Sequence, residues 1–251
     1  RISGSGRLAG TPEAPFGTLT LAARALRLGD LGSVASADVS AELAPGADGR
    51  MTLKLAAADL RSPSAPAPIE AVRLDIDGTR ASHRLSASVK LADQPAERGD
   101  APLRQSLELA AQGALLSSGD GPSWSGRIDQ LALVLSPELS ATLVRPASLS
   151  ASARRVALDD ATLALTGGGE VVFARTLWTP ERLDASGRMR GFPLRLVWRD
   201  REAGIAVRAP LKLGADWAVG AALTGDAGLN GRIAVFRESG KIGRASCRER
   251  V

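Results

Sequence analysis

The chain has 251 residues, 44% of them hydrophobic and 3% aromatic, with one His, one Cys, no Tyr and a formal net charge of +5. That hydrophobic share excludes wholesale disorder, and so little His, Cys and Tyr leaves acid–base or metal chemistry few groups to use. No apolar run approaches the roughly eighteen residues of a membrane-crossing helix.

The period is two along almost the whole chain. Leu19 and Leu21 alternate with Thr18 and Thr20, and Met51, Leu53 and Leu55 with Thr52 and Lys54. Val72, Leu74 and Ile76 flank Arg73 and Asp75, while Leu85, Ala87, Val89 and Leu91 flank Ser86, Ser88 and Lys90. Leu107 and Leu109 follow, then Leu131, Leu133 and Leu135. Leu149, Ala151 and Ala153 precede Leu163 and Leu165, after which come Val171 and Phe173. The last stretch holds Leu194, Leu196 and Trp198, Ile205 and Val207, Leu211 and Leu213, and Ile233 with Val235. Such alternation predicts half-buried strands, apolar on one face and polar on the other.

Turns are predicted at Pro45 and Gly46, Asp48 and Gly49, Asp77 and Gly78, Gly119 to Pro122, Gly167 to Gly169, and Gly225 with Asp226. The Pro-rich stretch 62–68 and the polar stretch 93–100 read as loops, because the strand pattern resumes unchanged after both. Helical templates fit poorly; the best, Gln105 to Leu116, contains Gly113 and also fits a strand. The class is all-β. Few bulky side chains are present to fill a thick sandwich core, so about fourteen or fifteen strands stacked in one dimension, solenoid-like, are expected. At a spacing of about 4.8 Å they would make a sheet about 65 Å long.

Residues 241–251 stand apart. They hold four basic residues, one acidic residue and the single cysteine, Cys247, and they resemble the translation of a sequencing adaptor. The expected folded unit is therefore residues 1–240, with 28 basic against 26 acidic side chains, or +2, and no cysteine. A cysteine-free chain suits an oxidising compartment. Residue 1 is Arg and no signal-peptide pattern follows, so the chain reads as a piece of a longer protein. The basic residues are 28 Arg and 4 Lys, scattered singly except for Arg154 and Arg155. Without a clustered patch and aromatic platforms, nucleic acid is not an expected partner.

Other constellations fall short of chemistry. Gly4, Gly6 and Gly10 lack the spacing of a dinucleotide fingerprint and read as turn glycines, and Gly167 to Gly169 lack the Lys of a phosphate loop. His83 has no second His and is expected at the surface or beside a turn, on the polar side of its strand. Asp159 and Asp160 sit where a turn is needed. Trp124 and Trp198 are expected to cap the apolar face. No catalytic, cofactor or metal residue is expected.

Several stretches carry a resemblance. Gly6–Pro15 (GRLAGTPEAP), Asp77–Leu85 (DGTRASHRL), Trp124–Leu131 (WSGRIDQL) and Gly228–Gly240 (GLNGRIAVFRESG) occur in an order similar to the middle region of the TamB family, within the AsmA-like superfamily. The resemblance covers essentially residues 1–240. It implies a periplasmic protein of a Gram-negative bacterium, anchored in the inner membrane by a segment not in this sequence. It further implies an elongated, curled antiparallel sheet, a β-taco, forming an open hydrophobic groove. Such proteins partner an outer-membrane barrel of the Omp85 class, TamA, through a C-terminal region also not in this sequence. They are implicated in phospholipid passage between the membranes and in outer-membrane protein, including autotransporter, assembly. The residues expected to meet acyl chains are Leu19, Leu21, Leu53, Leu55, Val72, Leu74, Ile76, Leu131, Leu133, Leu135, Leu163, Leu165, Leu194, Leu196, Leu211 and Leu213. The alternative is a surface β-solenoid of the adhesin type, whose apolar face is a closed, dry core.

Overall fold

The structure, a computed structural model, describes residues 1–11, 14–27, 32–62, 67–93, 104–118, 121–136, 139–200, 205–224 and 228–239. All regular structure among them is strand: β1 (Ile2–Thr11), β2 (Ala14–Arg27), β3 (Ser33–Leu43), β4 (Arg50–Arg61), β5 (Ile69–Thr79), β6 (His83–Leu91), β7 (Ser106–Ser118), β8 (Gly121–Ser136), β9 (Leu139–Leu143), β10 (Ala147–Ser152), β11 (Val156–Leu165), β12 (Gly169–Trp178), β13 (Arg182–Asp200), β14 (Ile205–Ala222) and β15 (Leu229–Ser239). They form one 15-stranded antiparallel sheet in sequence order. β9 and β10 are two pieces of a single strand position, both lying between β8 and β11.

No second layer covers this sheet among the described residues. A globular protein of 25.9 kDa exposes roughly 10,500 Å² by the usual size scaling. This chain exposes 17146 Å². Among the described residues no large side chain is fully buried, and the buried apolar ones are mostly alanines, such as Ala111, Ala141, Ala147 and Ala161. That is the burial of a one-layer sheet, and it rules out a sandwich with a sealed core.

The two faces are kept distinct by register. Directly paired residues share a face, so the pairing can be followed strand by strand from Gly4 through Leu21, Val39, Leu55, Leu74, Ala87 and Leu109 to Leu131. Two transverse lines of irregularity cross the sheet without mixing the faces. In the first, Ala25 and Asp59 have positive φ (48° and 50°), and Glu70 is skipped where β5 meets β6. Beyond it the apolar face continues through Leu26, Val34, Leu60, Ile69 and Leu91. In the second, Asp129 is skipped between β7 and β8, the β9–β10 position breaks at 144–146, Asp160 has φ 53°, and Ala174 is skipped between β12 and β13. A one-residue slip moves every later side chain to the opposite face. Each bulge supplies the extra residue where the sequence alternation slips, so Trp124, Gly126 and Ile128 lie on the same face as Leu131 and Leu133.

Three turn expectations change. Gly4, Gly6 and Gly10 lie inside β1, because Gly4 and Gly6 face Leu21 and Leu19 and an added Cβ would come within 2.6 and 2.9 Å of their methyls. Asp77 and Gly78 lie inside β5, and the bend falls at 80–82. Asp159 and Asp160 lie inside β11, where an Asp tolerates the left-handed conformation of the bulge. Gly119, Asp120, Gly225, Asp226, most of the two expected loops, and the tail 241–251 with Cys247 lie outside the described residues.

At one end of the strands the rim is drawn together. The amide of Ala81 donates to the carbonyl of Ala47 at 3.0 Å, the amide of Leu115 donates to the carbonyl of Arg80 at 2.7 Å, and the Arg80 guanidinium donates to the carbonyl of Pro15. Pro15 opens β2 and Arg80 follows β5, three strand spacings or about 14 Å apart on a flat sheet. Such contacts need a sheet curled about its strand axes. A deletion tests the bulge logic: removing Asp129 turns Leu131 and Leu133 to the polar face. Urea unfolding should show a loss of several kcal/mol, since exposing one Leu costs about 1.5–3 kcal/mol, whereas Asp129→Ala should change stability by about 0.5 kcal/mol or less beyond its exposed pairing with Arg127.

Candidate functional site: the apolar face

A strand with apolar residues at every second position presents one continuous apolar surface once its neighbours are in register. Here two long rows run across the sheet. One is the row traced above, which resumes in β9 with Leu143 and continues through Leu163, Val171, Met189, Ala215 and Val235. The adjacent row runs Ile2, Ala23, Ala37, Ala57, Val72, Val89, Leu107, Leu133, Ala141 and Leu165. Neither contains a charged side chain. Nearer the rim drawn in by Arg80, a third row holds Leu19, Ala41, Leu53, Ile76, Leu85, Ala111, Ile128 and Ala147.

Most of the residues singled out from sequence fall on this face together. Leu21, Leu55, Leu74, Leu131 and Leu163 are in the first row, Val72, Leu133 and Leu165 in the second, and Leu19, Leu53 and Ile76 in the third. Leu135, at the far end of β8, is skipped where β8 meets β9 and is exposed. Leu211 and Leu213 carry the face across β14, paired to Leu194 and Phe192 of β13. The side chains of Leu194, Leu196 and Trp198 lie outside the described residues. Most of these leucines are half-buried, while Leu165 is buried and Leu21 exposed.

The opposite face is polar and charged. Its ion pairs include Arg24 with Asp38 at 2.9 Å, Arg127 with Asp129 at 2.8 Å and Arg190 with Asp216 at 2.7 Å. All are substantially exposed, so each contributes about 0–1 kcal/mol, and their main effect is to keep this face wet.

His83 is the correction here. It is 4% exposed and lies on the apolar face, paired to Gly78 on one side and Gly113 on the other. The indole N–H of Trp124 donates to its Nε2 at 2.8 Å, and its Nδ1 lies 3.0 Å from the carbonyl of Thr79. A carbonyl only accepts, so the network assigns the neutral ring with the proton on Nδ1. Polar neighbours in sequence suggested a surface residue; a partner 41 residues away makes it a buried one. Trp124 does sit on the apolar face, lying flat over two glycines: an added Cβ on Gly113 or Gly126 would come within 2.6 or 2.7 Å of its ring.

The same arrangement recurs six strands later. Trp217 of β14 covers Gly187 of β13, where a Cβ would come within 2.3 Å of the ring, and meets Phe173 of β12 edge-on at 5.8 Å. In both places a Trp crosses a glycine on the next strand to reach a ring on the strand beyond. Each indole therefore lies across a glycine, and the ring it reaches is tilted from it by 55° at His83 and 68° at Phe173. Apart from the alternation, sequence reasoning missed these crossings and the row from Leu26 to Leu91.

No protein-family model matches the chain, and no curated protein or solved structure matches it.

The His83–Trp124 bond sets an expected outcome. His83→Leu keeps the volume but strands the indole N–H, and should cost about 1–3 kcal/mol in urea unfolding. Trp124→Phe in the His83→Leu background should then cost less than Trp124→Phe alone, the coupling expected of two directly bonded groups.

Proposed function

We propose that this chain is a segment of a lipid-carrying groove in a TamB-like envelope protein. The observation that carries the reading is an apolar face fourteen strand positions long with no covering layer among the described residues. Phospholipid acyl chains supply the missing half of the core. Each CH₂ removed from water contributes about 0.8 kcal/mol, so part of one tail is a sufficient driving force. Leu, Val and Ala give many weak, similar contacts. Such a surface favours passage over tight recognition.

On this reading the protein catalyses no reaction and holds no cofactor. It spans the periplasm of a Gram-negative bacterium, fixed to the inner membrane and meeting the outer-membrane barrel TamA through regions beyond this sequence. The groove passes phospholipid and thereby supports outer-membrane protein assembly. The adhesin-type solenoid is less favoured, because a solenoid closes its apolar face on itself and this sheet has a single layer.

Leu133 tests the reading. It sits in the second row between Leu107 and Ala141. Leu133→Asp places a charge where acyl chains run; at a bilayer centre that costs about 2.5–3.5 kcal/mol. In an open groove the carboxylate still reaches water, so the thermal midpoint should fall by only a few degrees while capture of a fluorescent phospholipid from vesicles drops severalfold. Unchanged capture by a folded Leu133→Asp protein would contradict the proposal. Outright unfolding would point to a closed, dry core.

A further inference from the structure

Resting on the groove reading, a second set of observations bears on which lipid the groove takes and where its headgroup lies. On the apolar face, the row nearest the β10–β11 turn runs Leu115, Trp124, Ala151, Val156 and Trp178. The turn itself is exposed at 153–155 and carries the chain's one adjacent basic pair, Arg154 and Arg155. Its shape is fixed locally. The amide of Ser152 donates to the carbonyl of Arg155 at 2.7 Å, and the amide of Arg154 donates to the Ser152 hydroxyl at 3.3 Å.

The cations at the other described turns along this edge are already engaged. Arg80 donates to the carbonyl of Pro15, Arg50 faces Asp77 at 3.9 Å, and Arg182 binds Asp184 at 2.7 Å. Arg154 and Arg155 form no ion pair with a described residue. Two unengaged guanidinium groups thus stand at the lip of an apolar surface, with Trp rings in the row just inside. Trp favours the boundary between hydrocarbon and water, and a guanidinium fork matches phosphate oxygens two at a time. The order from groove to solvent is aliphatic, aromatic, cationic, which is the order of an acyl chain, glycerol region and phosphate read outward.

We infer that the β10–β11 turn is the headgroup lip of the groove and that its occupant is an anionic phospholipid. The acyl chains lie on the apolar face beside Leu131 and Leu163, and the phosphate rests on Arg154 and Arg155. Neutral and anionic lipids with the same chains then bind the same apolar floor and differ only at the lip.

The test uses the full 251-residue chain and vesicles of equal parts phosphatidylglycerol and phosphatidylcholine with identical acyl chains. After separation from the vesicles, the lipid retained by the protein is extracted and quantified by headgroup. The original protein should retain phosphatidylglycerol over phosphatidylcholine by about fivefold or more, the ratio that one basic residue near an anionic lipid surface supplies. Arg154→Ser with Arg155→Ser should bring that ratio near one while total retained lipid stays within about twofold, since the aliphatic floor is untouched. Arg154→Lys with Arg155→Lys should keep most of the preference, because the charge remains. Equal retention of both lipids by the original protein, or an unchanged preference in the double Ser variant, overturns the headgroup lip while leaving the groove intact. No retained lipid of either kind overturns both.

Discussion

One β-sheet with an apolar face and no covering layer leaves that face in water unless something else fills it. In this chain the remedy is partial. Curling brings the rim near Pro15, Ala47 and Arg80 together, and small alanines keep the rows shallow. The leucines remain half-buried, as expected of a surface meant to meet something rather than a core meant to be sealed. The exposed apolar residues Ile2, Leu8, Leu229, Ile233 and Val235 lie on the two edge strands. There the apolar face has a neighbour on one side only.

How the sheet keeps its faces distinct explains much of what was legible in sequence and what was not. Within each strand, strict alternation at Leu53 and Leu55 or at Leu131, Leu133 and Leu135 identified both the strand and its apolar side. Where the alternation slips, as from Ile128 to Leu131 or from Leu158 to Ala161, a bulge and a turn look alike in sequence, since both favour Asp and both interrupt the period. Asp159 and Asp160 were therefore read as a turn, although they sit within β11. At Asp129 the slip from Ile128 to Leu131 becomes a bulge only against Ala110 and Ala111 of the adjacent strand.

The indole crossings illustrate a second limit. Gly113, Gly126 and Gly187 look like weak points in their strands, since glycine packs nothing and loses more entropy on folding than other residues. Each is instead the seat of an indole ring from another position on the sheet. His83 was misplaced for the same reason: its neighbours Ser82 and Arg84 are polar and exposed, while the group that buries it comes from β8. Local pattern does not show whether a distant ring will lie across a position. In both places the indole is laid across a glycine, and the apolar rows continue past it.

The central claim is that acyl chains touch one face of this sheet and not the other, and alternation along β5 tests it most directly. A photo-crosslinking amino acid placed in turn at Val72, Arg73, Leu74, Asp75 and Ile76 samples both faces within five residues. After exposure to phospholipid vesicles and irradiation, lipid adducts should form at Val72, Leu74 and Ile76 and be absent or weak at Arg73 and Asp75. Adducts of equal yield at all five positions, or none at the three apolar ones in a folded protein, would contradict the account.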